Sequence, residues 1–192
     1  LFPFAPSMDH VGYFTRNVFD SALLLETLAG RDVKDSTSSN EKVSKYTDSV
    51  DCNLKGKKIA VIKEVFDSIP EGDIKTAFEN NLKGLEAEGA IINYVSMDTD
   101  LLKAIYPTYI VISCAEATSN NANLDGIKFG PRIGGESYEE VMMNARTKGF
   151  SELIKRRFVI GSYSLMRENQ EELFLRAQRA RRVIVNAANE IL

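Results

Sequence analysis

Residues 57–97 carry the pattern that most restricts what this chain can fold into. KKIAVIKE at 57–64 is a short apolar run bounded by charge, as a buried strand requires. Ile74, Phe78, Leu82 and Leu85 then recur at helical spacing over 74–88, and Gly89 ends that helix. AIINYVSM at 90–97 is a second strand. Strand, helix and strand joined by short connections predict a βαβ unit with its two strands parallel. Its expected core is Ile59, Val61, Phe78, Leu82, Leu85 and Ile92.

The flanking segments differ in character. Residues 1–16 hold Phe2, Phe4, Val11, Tyr13 and Phe14 among Pro, Ser, Asp and Gly, which predicts short strands or extended segments with a bend at Gly12. Val18, Ala22, Leu25, Leu28 and Ala29 form a helical stripe closed by Gly30. Residues 31–53 are polar and predict a long surface loop. After residue 98 the pattern is helical. Pro107 is expected to open a new helix, since proline is tolerated in a first turn and not in an interior. Tyr109, Ile112, Glu116 and Ser119 share one face of it. Four glycines and a proline over 121–136 predict a loop. Ser137 with Glu140 is a capping box opening a helix that closes at Gly149. Further helices are expected from Ser151 to Met166 and from Glu168 onward, the latter with Leu173, Ala177, Ala180, Ile184, Ala188 and Ile191 as its stripe. The fold class is therefore α/β, a βαβ-containing front half (1–97) and a helical back half (98–192), read as a single partial domain over 1–192.

Bulk properties exclude several functions. Net charge is −3 over 192 residues, so no global basic field points to nucleic acid. Cys52 and Cys114 form no CxxC pair, and the one histidine, His10, cannot build a multi-histidine metal site. No apolar run approaches a membrane span, and LFPFAPSM lacks the basic start of a signal peptide. Its hydrophobic opening is what a chain cut inside a domain looks like.

Individual residues leave alternatives open. Asp9 reads either as a structural acid tied to backbone amides or to Arg16, or as a plain turn aspartate. LDGIKFGPRIGGE matches neither a dinucleotide fingerprint nor a phosphate loop. The serines at 36–39 lie in a hydrophilic loop without glycine, and no nucleophile beside a base is visible. Lys155, Arg156 and Arg157 cannot share one helical face, so with Ile154 and Phe158 inward one arginine must approach the apolar boundary. An arginine held there can grip a carboxylate bidentately, although a solvated basic stretch remains the ordinary reading. Arg176, Arg179, Arg181 and Arg182 read as salt-bridged surface, with RNA contact the lesser alternative.

Four segments together resemble the amidase-signature enzymes, and within them the A subunits of the tRNA-dependent amidotransferases. They are PSMDHVGYFTRNVFDSALLLETLAGRDVKDSTS at 6–38, KGKKIAVIKE at 55–64, SCAEATSNNANLDGIKFG at 113–130 and KGFSELIKRRFVIGSYSL at 148–165. The order is right and the match covers nearly the whole chain. Two departures stand out. Tyr13 occupies the place of the family's usual proline, and MRENQEELF after Leu165 replaces a tyrosine-rich run.

The resemblance implies part of the amidase-signature fold and a part-chain of a glutamine-hydrolysing subunit. The family's lysine base and its two serines match nothing in 1–192, so no catalytic residue is assigned here and the chain alone is expected to be inactive. Tyr109 and Arg157 match family positions that contact glutamine, and the α-carboxylate is the natural partner for the arginine fork. The resemblance also implies B and C subunits as partners in a cytoplasmic heterotrimer. Ammonia would pass to the B subunit, which uses ATP and magnesium and holds most of the tRNA contact, to convert Glu-tRNA(Gln) to Gln-tRNA(Gln). No cofactor is implied for this chain. Two rival readings stand: part of a stand-alone small-amide amidase, and a partner-binding domain without chemistry.

Overall fold

The computed structural model describes residues 3–192. Its elements, in order, are α1 (Val18–Leu28), β1 (Lys58–Ile62), α2 (Lys63–Asp67), α3 (Asp73–Ala87), β2 (Ile91–Val95), α4 (Thr99–Asn120), α5 (Tyr138–Gly149), α6 (Glu152–Leu165) and α7 (Arg176–Ile191). A 3-10 turn spans Tyr46–Ser49, and a π-helical turn, Glu171–Leu175, leads into α7.

The βαβ expectation holds: β1 and β2 pair as a two-stranded parallel sheet with α3 between them in sequence. Pairing starts where Ile91 N–H donates to the Lys57 carbonyl at 2.7 Å. Both strands are shorter than expected, and residues 63–67 leave β1 directly as the helix α2. The expected core is only partly buried. Val61 and Leu82 are buried, Ile59, Leu85 and Ile92 are half-buried, and Phe78 is exposed. Two strands have too little area to cover a helix and both their own faces, so the outer positions of the pattern stay open.

Three other expectations are corrected. Among residues 3–16 there are no strands, and Phe2 lies outside the described residues. Instead Asp9 closes a tight turn. Its carboxylate accepts from the N–H groups of Phe4 (2.8 Å) and Ala5 (3.0 Å), while the Ala5 carbonyl accepts from Met8 and Asp9. Second, Pro107 does not start a helix. It lies inside α4, which begins at the Asp98 cap, whose side chain accepts from Asp100 and Leu101. An interior proline costs about 3 kcal/mol. The packing of α4 along both α6 and α7 offsets that. Third, the final helix begins only after the π turn.

By compactness the chain divides into two units. One comprises residues 10–59 and 69–93, the other residues 1–9, 60–68 and 94–192. In the first, Asn17 caps α1 by accepting from Asp20, and Glu26 on α1 holds the 3-10 turn through the Thr47 N–H and hydroxyl. In the second, α4 is the hub. Ile112, Cys114 and Ala117 on it are fully buried, with Ser113 and Ala115 nearly so. Ser137 caps α5 as expected, accepting from Glu140, and Ser151 caps α6, accepting from Ile154. The α7 stripe holds too: Ala177 is buried, and Ala180, Ile184, Ala188 and Ile191 are half-buried.

Candidate functional site

Both candidate site residues lie in the second unit, on helices packed against each other. The contact between α4 and α6 is set by Gly161. A Cβ there would overlap the Cys114 carbonyl oxygen and Thr118 Oγ1, so only glycine lets the backbones approach this closely. Thr118 Oγ1 donates to the Cys114 carbonyl (2.8 Å) and to that of Phe158 (3.2 Å). Phe158 thus sits level with Thr118, and Gly161 with both Cys114 and Thr118, so the two helices run antiparallel.

That register fixes where Arg157 falls, beside the last turn of α4. Lys155 pairs with Glu152 and donates to the Thr147 carbonyl, and Arg156 is exposed. Arg157, like Lys155, turns partly inward, but unlike Lys155 it meets no acid among the described residues. It is half-buried, with its guanidinium carbon 5.6 Å from the centre of the Phe4 ring, over its face. Among the described residues it has no ion pair and no hydrogen bond. A partly desolvated guanidinium with its fork unused is a seat for a carboxylate. Its charge is felt at Cys114: burial pushes that thiol up, while Arg157 and a hydrogen bond from Ser113 oppose the shift. The buried Cys114 is thus held as a neutral thiol and packs as a small hydrophobe.

Tyr109 sits nearer the start of α4, partly exposed, its ring 6.4 Å from that of Tyr106. Its hydroxyl has no partner among the described residues. Arg157 lies about ten residues further along α4, or about 15 Å of helix axis. The two side chains therefore do not touch, and a ligand held by both would have to lie along α4.

Two clusters have no signature in the sequence. Ser7 joins two opposite charges: its N–H (3.0 Å) and hydroxyl donate to the Glu116 carboxylate, and Arg181 donates to its hydroxyl (2.8 Å) and carbonyl (2.7 Å). Arg146 donates to the carbonyls of Asn121 (3.0 Å) and Leu124 (3.3 Å), with its guanidinium 5.1 Å from the Phe150 ring and 5.3 Å from that of Phe158. It pins the start of the glycine-bearing loop to α5 and α6. Partners so distant in sequence leave no local pattern to read. Of the basic run on α7, Arg176 pairs with Glu172 and Arg179 with Glu171, as a salt-bridged surface should.

An apolar cleft of about 300 Å³ lies between α4, the π turn and α7, lined by Pro107, Val111, Leu173 and Ala177, and includes neither candidate residue. Among the described residues no cluster of His, Cys, Asp or Glu is fit to hold a metal, and no helix is long and apolar enough to cross a membrane.

Comparison with known proteins is consistent along the whole chain. A family model described as Amidase matches residues 1–192. The A subunit of the Glutamyl-tRNA(Gln) amidotransferase of Lactobacillus delbrueckii subsp. bulgaricus is 36% identical over 191 residues, covering 100% of this chain and 39% of that protein. Its counterpart in Thermotoga maritima is 38% identical over 192 residues, covering 100% of this chain and 40% of that one. The crystal structure of the Thermotoga maritima protein superimposes with a TM-score of 0.69 at 33% identity, over 98% of this chain and 36% of that chain. The chain thus spans about two-fifths of the length of the curated relatives it matches.

Proposed function

The chain belongs to the amidase family, and we propose that it is a portion of the glutamine-hydrolysing A subunit of a tRNA-dependent amidotransferase. The observation that carries the reading beyond family membership is Arg157, a half-buried guanidinium with no anionic partner among the described residues. In a glutaminase that fork receives the α-carboxylate of glutamine through two charge-assisted hydrogen bonds. Tyr109, whose hydroxyl has no partner among the described residues, is the second proposed contact, about 15 Å away along α4.

The carbonyl chemistry then belongs to the rest of the enzyme. A serine there, deprotonated through a second serine and a lysine, attacks the side-chain amide, and backbone N–H groups stabilise the oxyanion. Ammonia leaves, and water releases glutamate from the acyl-enzyme. The ammonia passes to a B subunit, which uses ATP and magnesium to activate the glutamyl group on tRNA, and a C subunit completes a cytoplasmic heterotrimer. This chain binds and orients glutamine, and residues 1–192 form one partial amidase domain.

The test compares the isolated chain with the full-length subunit in its complex. Ammonia release from glutamine is expected from the complex and absent from residues 1–192. Turnover by the isolated chain that survives repurification would overturn the assignment of catalysis to residues outside it. A complex that releases no ammonia from glutamine would overturn the glutaminase reading itself.

A further inference from the structure

The turn at residues 3–9 is held more firmly than a surface turn needs to be. Asp9 closes it onto the N–H groups of Phe4 and Ala5. Asn120, at the end of α4, donates to the Phe4 carbonyl at 3.4 Å. Ser7 is clamped between Glu116 of α4 and Arg181 of α7. Ala5 is buried. Asp9 and Asn120 thus fix the Phe4 backbone and the Ser7 clamp fixes its turn, and the Phe4 ring is the surface over which the Arg157 guanidinium lies.

A guanidinium has a face and an edge with different uses. An aromatic ring takes the face through the cation–π interaction and leaves the N–H fork at the edge free for a carboxylate. An arginine side chain otherwise loses much of its rotamer freedom when a ligand immobilises it. A ring that holds the plane beforehand removes much of that cost.

We propose that Phe4 is a positioning residue that orients the Arg157 fork for a carboxylate ligand, with the Asp9-closed turn as its rigid mount. The inference rests on the reading of Arg157 as the glutamine-carboxylate grip, and adds to it the element that aims the arginine.

The test is a double-mutant cycle on KM for glutamine in the full-length subunit within its complex. Phe4→Leu, which keeps apolar volume and removes the ring face, is expected to raise KM about three- to tenfold. Phe4→Tyr, which keeps the ring, is expected to stay within about twofold of the parent. In an Arg157→Ala background, Phe4→Leu should change nothing further, because the ring then has no fork to aim. Phe4→Met serves the same purpose should the leucine variant fail to fold. Equal KM increases in both backgrounds would overturn the proposal and leave Phe4 a packing residue. So would a Phe4→Leu enzyme with unchanged KM. If Arg157→Ala by itself leaves KM unchanged, the carboxylate-grip reading fails, and the positioning role falls with it.

Discussion

Single residues decide how closely α4 and α6 meet and what the interface leaves exposed. Gly161 is the sharpest case. Alanine ordinarily stabilises a helix interior by about 1 kcal/mol relative to glycine. Here its Cβ would overlap backbone at Cys114, which cannot move as a flexible side chain could. Steric cost should win, and Gly161→Ala is expected to lower the urea midpoint, with overpacking worth about 1–3 kcal/mol. A raised midpoint would show that the helices are free to separate. Residues 155–157 show how far sequence reasoning reaches at this scale. That the three cannot share one face follows from helical geometry, and the structure turns Arg157 inward. That Phe4 lies under it does not follow, because the two are almost a whole chain length apart in sequence. The Ser7–Glu116–Arg181 bridge is illegible for the same reason, although helical spacing does place Glu116 on the right face of α4.

At the scale of elements, local signals prove readable wherever they are self-sufficient. Ser137 and Ser151 cap the helices that follow them, and the α7 stripe faces inward as its spacing requires, while of the α3 stripe only Leu82 is buried and Leu85 half-buried. Readings fail where tertiary packing overrides a local preference. Pro107 is a helix breaker by itself, yet α4 runs through it because neighbours support both halves. The π turn at 171–175 and the short helix α2 have no distinctive composition. One further feature of α2 is testable. Glu64 accepts from the Met97 N–H at 3.0 Å, and that bond, aided by its own backbone N–H and the Ser96 hydroxyl, holds its carboxyl below the ordinary value of 4.5. A lowered folded-state value means the contribution to stability is fully present above the ordinary carboxylate range. It is lost as pH falls through the lowered value. Glu64→Gln should therefore flatten the acid limb of the stability curve, measured by urea unfolding across that range. An acid limb identical to that of the parent would show that Glu64 does not link this junction to pH.

For the whole molecule, the α/β class and the βαβ unit are legible, while the division into two units is not. Each unit draws on segments from before and after residue 60, and no composition shift marks such an interleaved boundary. The exposed apolar residues on α1 and α6, among them Val18, Phe19, Leu28, Leu153, Val159 and Tyr163, fit a chain that spans about two-fifths of its relatives. The central claim is that such a chain contributes the grip on glutamine to a larger enzyme. The most direct measurement is KM for glutamine in the full-length subunit carrying Arg157→Ala, with Arg157→Lys beside it. Loss of a charge-assisted, bidentate contact should raise KM about ten- to a hundredfold. Lysine should recover only part of that, since an ammonium cannot reproduce the fork. Transfer driven by free ammonium, which bypasses the glutamine site, should persist in both. An unchanged KM in Arg157→Ala, or loss of ammonium-driven transfer along with it, would contradict the account and leave Arg157 as part of the scaffold.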